Sequence, residues 1–185
     1  MANRLVILGH PDVRNHSIAN KIIVDELARL EDLEIRELAS LYPDFQIDVE
    51  AEQQALIAAE TIVLQFPFYW YSVPGILKQW LDLVLAYGFA YGSNGTKLHG
   101  KRMILSMTIG GPEEAYQPDG YNTYRIDELI TPLKQTANLS GMTLTTPVIS
   151  HSMVFIPGVY NVKEEVEGRA NDHARRLIAT IGNPD

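Results

Sequence analysis

The sequence predicts an α/β protein: five parallel strands in one sheet, ordered 2-1-3-4-5, with helices on both faces. Three observations predict it. Apolar runs at residues 5–8, 33–38, 61–66, 102–108 and 143–149 alternate with stretches of helical periodicity, the pattern of repeated βαβ units. The first run shows no polar alternation and the third opens Thr-Ile-Val-Leu, as strands buried in a parallel sheet do. A length of 185 residues, without repeat or linker, suits one domain over 1–185 and five strands rather than a six-stranded dinucleotide fold.

Each element has its own justification. Residues 5–8 make the first strand and 9–16 a polar loop. Ser17 caps a helix whose Ile18, Ala19, Ile22, Ile23 and Leu27 form one stripe. Residues 33–38 alternate, so the second strand is half exposed. A loop carrying Tyr42-Pro43-Asp44 leads to a short helix at 50–59. The third strand runs into Phe68, Tyr69, Trp70 and Tyr71, flanked by Pro67 and Pro74. Ser72 is the expected cap, and Pro74 the expected first-turn residue, of a helix at 75–86. Gly88, Gly92, Gly95 and Gly100 mark a loop before the fourth strand. Ile126, Leu129, Ile130, Leu133 and Ala137 predict helix on both sides of Pro132, broken there, with Thr131 capping the second piece. Residues 143–149 are the fifth strand, and apolar positions from Val162 to Ile181 mark a terminal helix.

Composition removes several function classes. A net charge of −8 argues against a nucleic-acid surface. The absence of cysteine excludes disulfides, thiolate metal sites and thiol catalysis. The five histidines show no ligand spacing, so no metal is expected. No G-x-G-x-x-G follows a strand, and neither a P-loop nor a G-x-S-x-G elbow occurs. The start of the chain reads as a strand rather than an export signal, and no run approaches the ~18 apolar residues of a membrane span. The expectation is a cytoplasmic protein.

In a doubly wound sheet the ligand sits beyond the carboxyl ends of the strands, where the strand order reverses. That gathers the loops after strands one, three and four. The first ends at a helix whose opening residues, Ser17, Ile18, Ala19, Asn20 and Lys21, include no acid. Free N–H groups and the helix dipole there suit a phosphate, with Ser17 and Asn20 side chains assisting and His10 donating from the strand end. Ser17 and Asn20 equally suit an ordinary helix cap. The second loop supplies rings, Phe68 to Tyr71, which are either core beneath a loop or a wall for a flat aromatic ligand. The third supplies Thr108, Ile109, Gly110 and Gly111. Its glycines let backbone N–H groups approach the N1–O2 edge of an isoalloxazine, where fixed donors favour the reduced anion. A simple turn explains them as well.

Taken together, His10-Pro11, Ser17-Ile-Ala-Asn20, Tyr42-Pro-Asp-Phe45, Gln65-Phe-Pro-Phe-Tyr-Trp-Tyr-Ser-Val-Pro74, Leu77-Lys-Gln-Trp80, Gly88-Phe-Ala-Tyr91 and Gly110-Gly111 resemble the flavodoxin-like NAD(P)H:quinone reductases. The nearest branch is that of the ancillary subunits of glutathione-gated potassium efflux systems. The resemblance runs to about Pro147. It implies a flavodoxin-like fold, a flavin (FMN, with FAD as the alternative) and a homodimer with sites at the subunit interface. It also implies hydride transfer from NAD(P)H to flavin to a quinone or similar small acceptor by a ping-pong route. His10 and Ser17, Ile18, Ala19 and Asn20 would hold the flavin phosphate. Pro67, Phe68, Tyr69, Trp70 and Tyr71 would line the isoalloxazine, and Thr108 to Gly111 would meet its polar edge. Tyr116 would stand beside the flavin as a catalytic residue. Asn122 occupies the place where some relatives carry a histidine partner of that tyrosine, and it cannot titrate as imidazole does. Many relatives have Thr where this chain has Ile109. The lack of a long C-terminal extension favours FMN. Phe89, Tyr91 and Phe155 are expected at a subunit interface, with Tyr91 or Phe155 as a roof over the partner's flavin. A second role implied by the branch is that of a regulatory subunit of a potassium efflux transporter, peripheral at the inner membrane, with flavin as a structural or sensing element. A one-electron flavodoxin is the third alternative.

Overall fold

The computed structural model describes residues 4–183. β1 (Arg4–Leu8) leads into a single helical turn, α1 (Val13–His16), and then α2 (Ile18–Leu27). β2 (Leu33–Glu37) is followed by α3 (Leu38–Leu41) and α4 (Val49–Ala58). β3 (Thr61–Pro67), α5 (Gly75–Val84) and β4 (Arg102–Thr108) come next. After a 3₁₀ turn at Glu113–Ala115 the chain forms α6 (Ile126–Leu129), α7 (Thr131–Leu139), β5 (Thr143–Leu144), β6 (Val148–Ser150) and α8 (Lys163–Gly182).

The strands are parallel in the order β2-β1-β3-β4-β5, with β6 also on β4. The expected order holds. The expected fifth strand is instead two pieces, both paired to β4. Thr145 still donates its N–H to Met103 O, 3.0 Å away, but Pro147 has no donor to continue the ladder.

Side chains alternate across the sheet, and each face has its own core. Leu5, Ile7, Ile62, Leu64, Phe66, Met103 and Leu105 pack with Trp80, Leu77 and Leu56 under α4, α5 and α7. Val6, Val63, Ile104 and Val148 face Ala19, Ile23, Ala170, Ala174 and Leu177 of α2 and α8. A one-residue slip of any inner strand would exchange these faces, so burial sets the register. Truncating one such fully buried side chain to alanine costs about 2–5 kcal/mol.

Three local expectations are corrected. Ser72 does not cap α5: Pro74 is the N-cap residue, and the Ser72 N–H closes a turn on Tyr69 O at 3.0 Å. The break at Pro132 falls as expected, but Ile130 is the cap and Thr131 the first helical residue. Residues 9–16 are not all loop, since Asp12 caps α1 by accepting the Asn15 N–H.

Among the described residues, one charged group lies wholly inside. Glu52 on α4 is completely buried. Its carboxylate accepts from Arg36 at 2.6 Å, Tyr42 Oη at 2.6 Å and Trp80 Nε1 at 2.8 Å. These contacts tie β2, α4 and α5 together beneath the first face.

Candidate cofactor-binding site

The strand order reverses between β1 and β3, so the crossovers leave on opposite faces and open a crevice at the strand ends. A cavity of about 490 Å³ lies there, within the range of small-cofactor sites. Its walls come from the loops after β1, β3, β4 and β6.

The β1 loop makes the polar end. Ser17 caps α2, and its Oγ accepts both the Asn20 N–H and Asn20 Nδ2 at 3.0 Å. Two acceptor sites are thereby used, and the hydroxyl hydrogen is left for another partner. The first turn of α2 carries no acid. His10 is buried, and its Nδ1 accepts the Asp12 N–H at 3.0 Å, so the neutral ring carries its proton on Nε2. Burial pushes the His10 pKa down, against the pull of Asp12, and keeps it neutral near pH 7. Arg14 and Lys21 stand at the rim, both paired to Asp25. A donor-rich helix N-terminus bordered by two cations fits a phosphate monoester.

The β3 and β4 loops make the other walls. Pro67, Phe68 and Tyr69 line the cavity with Thr108 and Gly110. Tyr69 sits edge-on to His10, with centroids 6.3 Å apart. The N–H groups of Gly110 and Gly111 have no backbone acceptor among the described residues, as donors to a ligand edge require. A Cβ on Gly110 would come 3.2 Å from Val154, and one on Gly111 would meet Tyr121 and Tyr116.

Some expected residues lie elsewhere. Ala19 turns into the α2–α8 core, because successive helical residues point about 100° apart. Ile109 is buried in the opposite core, and its N–H already donates to Ser150 O at 2.8 Å. Trp70 does not line the cavity: its side chain is 91% exposed. Trp70 and Tyr71 are the central residues of a four-residue turn, with φ of +47° and +62°. That is the twist of a type I′ turn, usually built from Asn-Gly, and it swings both rings away from the crevice. Tyr71 instead lines a second cavity of about 470 Å³, with Leu81 and Leu133. It donates to Asn122 Oδ1 at 2.9 Å. Tyr116 is buried between Phe68 and His151, with ring centroids at 6.5 and 5.5 Å, and burial raises its pKa.

Other residues enter unannounced. Arg14, Lys21, Met153 and Val154 line the cavity, and Phe155 lines it within its own chain. Basic residues on both sides of Ser17 were a readable sign. Met153 to Phe155 carried none. They arrive because β6 pairs with β4 and Met153 N–H donates to Ile109 O at 2.9 Å.

A five-lane sheet in this order, with a phosphate-ready helix and aromatic walls at its switch point, defines a protein of the flavodoxin class. The chain belongs to the family described as having a flavodoxin-like fold, whose model matches residues 2–177. It is 49% identical to an uncharacterized NAD(P)H oxidoreductase, YrkL, of Bacillus subtilis over 75% of this chain and 79% of that one. It is 42% identical to the glutathione-regulated potassium-efflux system ancillary protein KefF of Salmonella arizonae, over 95% of each chain. A general stress protein 14 of Treponema denticola, solved in complex with FMN, superposes with a TM-score of 0.85 at 34% identity, covering 96% of this chain and 98% of that one. Other chains of this shape carry names as different as NADPH-quinone reductase and tryptophan halogenase.

Proposed function

We propose that the protein is an FMN-dependent NAD(P)H oxidoreductase that passes two electrons from a nicotinamide to a quinone or similar small acceptor. The observation that carries this reading is the cavity itself. Its polar end combines a helix N-terminus, the Ser17 hydroxyl, His10 Nε2–H and two rim cations, and its far end combines rings with Gly110, whose amide has no backbone acceptor among the described residues. A monoester phosphate and an isoalloxazine differ in just that way. The names of the YrkL relative and of the FMN complex support the activity and the cofactor.

Bound FMN would supply reversible two-electron transfer. The chain's residues do the rest. The Ser17 hydroxyl and the free α2 amides bind the phosphate, while Asn20, expected as a ligand itself, spends its donors on Ser17 and Thr108 and so orients the Ser17 hydroxyl. Phe68 and Tyr69 exclude water from one side, and Gly110 and Gly111 donate to the pyrimidine edge. Nicotinamide and acceptor use the remaining opening in turn, which is the ping-pong route. Tyr116, held neutral by burial, is the assigned proton donor beside Gly111, where the Tyr121 hydroxyl also lies; Asn122 positions Tyr71 rather than Tyr116. A homodimer would cover the exposed Tyr71, Tyr87 and Tyr91.

The test is spectroscopic. The purified protein should be yellow, release FMN by mass spectrometry and consume NADH or NADPH with a soluble quinone. A colourless protein that takes up no FMN on titration refutes the reading. The KefF likeness supports a second, compatible role as an ancillary subunit of a cytoplasmic-side transporter complex. No described helix is long and apolar enough to cross a membrane. Co-purification with a potassium efflux transporter and loss of its activation on deletion would establish that role.

A further inference from the structure

Behind the cavity a row of polar side chains crosses the face of the sheet covered by α2 and α8. Strand register makes the row: Gln65 lies beside Ser106, and Ser150 lies beside Thr108. His173 reaches it from α8 and Asn20 from α2. Gln65, Ser106, Ser150, His173 and Asn20 are all buried.

Each link has a direction. Arg176 can only donate, and its Nη2 donates to Ser150 Oγ at 2.6 Å. Ser150 Oγ is 2.9 Å from His173 Nδ1. Ser106 Oγ is 2.7 Å from His173 Nε2 and donates its one hydrogen to Gln65 Oε1 at 2.5 Å. Ser106 must therefore accept from Nε2–H, and Nδ1 must accept from Ser150. Gln65 Nε2 donates to Asn20 Oδ1 at 2.9 Å. Asn20 Nδ2 donates to Thr108 Oγ1 at 2.9 Å and to Ser17 Oγ at 3.0 Å. Apart from the Thr108 hydroxyl, which also reaches back to Asn20 Oδ1 at 3.3 Å, the donors point one way, from the Arg176 cation toward Ser17. Burial holds the His173 ring neutral, so it has one proton to place.

We propose that His173 is a positioning residue for the anion-binding end of the cavity: its Nε2–H tautomer sets the direction of the row and so delivers Ser17 with its lone pairs occupied and its hydrogen free for a phosphate oxygen. The opposite tautomer reverses the row. Ser106 would then donate to His173, both amides would turn over, and Asn20 would present its carbonyl oxygen to Ser17. The Ser17 hydrogen would be drawn inward and a lone pair would face the phosphate. The identity of a ring some distance from the ligand thus decides whether the capping hydroxyl attracts or repels an anion. Aligned hydrogen bonds in a low-dielectric interior also polarise one another, which strengthens the last donor.

This inference rests on the reading of the cavity as an FMN site, and the experiment separates the two. The apo form of the full chain is titrated with FMN and with riboflavin, which lacks the phosphate. Wild type, His173→Gln and Ser106→Ala are compared, and the wild-type His173 tautomer is read by long-range ¹H–¹⁵N NMR. The expected results are an Nε2–H tautomer and a preference for FMN over riboflavin that falls roughly ten-fold in both variants, about one charge-assisted hydrogen bond. Riboflavin affinity itself should change less than about three-fold, since the ring end is untouched. A residue that only supports the fold would weaken both ligands equally, and that result overturns the inference. So does an Nδ1–H tautomer, or an unchanged preference in the variants while wild type prefers FMN. A wild type that binds neither ligand refutes the cofactor reading, and this inference with it. If His173→Gln does not fold, Ser106→Ala, which removes a single oxygen, and the tautomer decide.

Discussion

Replacing Ser17 with aspartate separates the two jobs of this residue. As a helix cap, aspartate equals serine, because its carboxylate accepts the Asn20 N–H in place of Oγ. A negative charge at the start of α2, where no acid now stands, even favours the helix by about 0.3–1 kcal/mol. As a phosphate ligand, aspartate is the worst choice: it removes a donor and adds a like charge. Two unit charges about 4 Å apart repel by roughly 1 kcal/mol in water and about 4 kcal/mol at an effective dielectric constant near 20. The mouth of this cavity lies between those limits, so FMN affinity should fall between about five-fold and a thousand-fold. The assay is a parallel fluorescence titration of the apo protein with FMN and riboflavin, with urea unfolding as a control. Riboflavin affinity and stability should stay near wild type, and added salt should narrow the gap for FMN. An FMN affinity within about two-fold of wild type, with the fold intact, would refute the placement of the phosphate. Equal weakening of both ligands would put the ring, not the phosphate, beside Ser17.

Three further outcomes follow from the geometry. Trp70→Asn should raise stability by about 1 kcal/mol, some 2–4 °C in calorimetric Tm, because asparagine tolerates the positive φ that an exposed tryptophan strains to hold; a lower Tm would mean the ring is covered, as by a second copy of the chain. Burial, reinforced by Arg176 and opposed by Asp172, lowers His173 from 6.5 to about 4. The unfolded chain therefore takes up a proton between those values that the native chain refuses, and stability should drop by about 3 kcal/mol as pH falls from 6.5 to 4. Urea midpoints across that range check it, and the same slope persisting in His173→Gln would assign the effect to other groups. Glu52→Ala should cost about 3–5 kcal/mol in denaturant unfolding, since it leaves the Trp80 N–H and the Tyr42 hydroxyl without their buried acceptor and leaves Arg36 with Glu34 alone; a loss under 1 kcal/mol would show that water reaches this site.

Much of the molecule was legible in one dimension. Strand and helix positions followed from local periodicity, and the strand order from their number and alternation. Ser17 could be identified as a cap because capping depends on a hydroxyl within three residues of the N–H it accepts. The absence of acids in the first turn of α2 pointed to an anion for the same local reason. Gln65, by contrast, read as one more strand residue, and His173 as a scattered histidine. Nothing near either residue shows that register and helix packing join them through Ser106.

Local chemistry along the chain settled which segments are strands and helices and which helix awaits an anion, because each depends on neighbours a few residues apart; the number and alternation of those segments then indicated which loops meet at the switch point. Which side chains turn toward the crevice was settled by packing. Ala19 and Ile109 went to the core and Trp70 to solvent, while Phe155 came in from the far end of the chain. The direction of the hydrogen-bond row belongs to packing as well, because its links join residues 23 to 67 positions apart before reaching the cap. Burial against distant elements sets such choices, and no short stretch of sequence contains both partners.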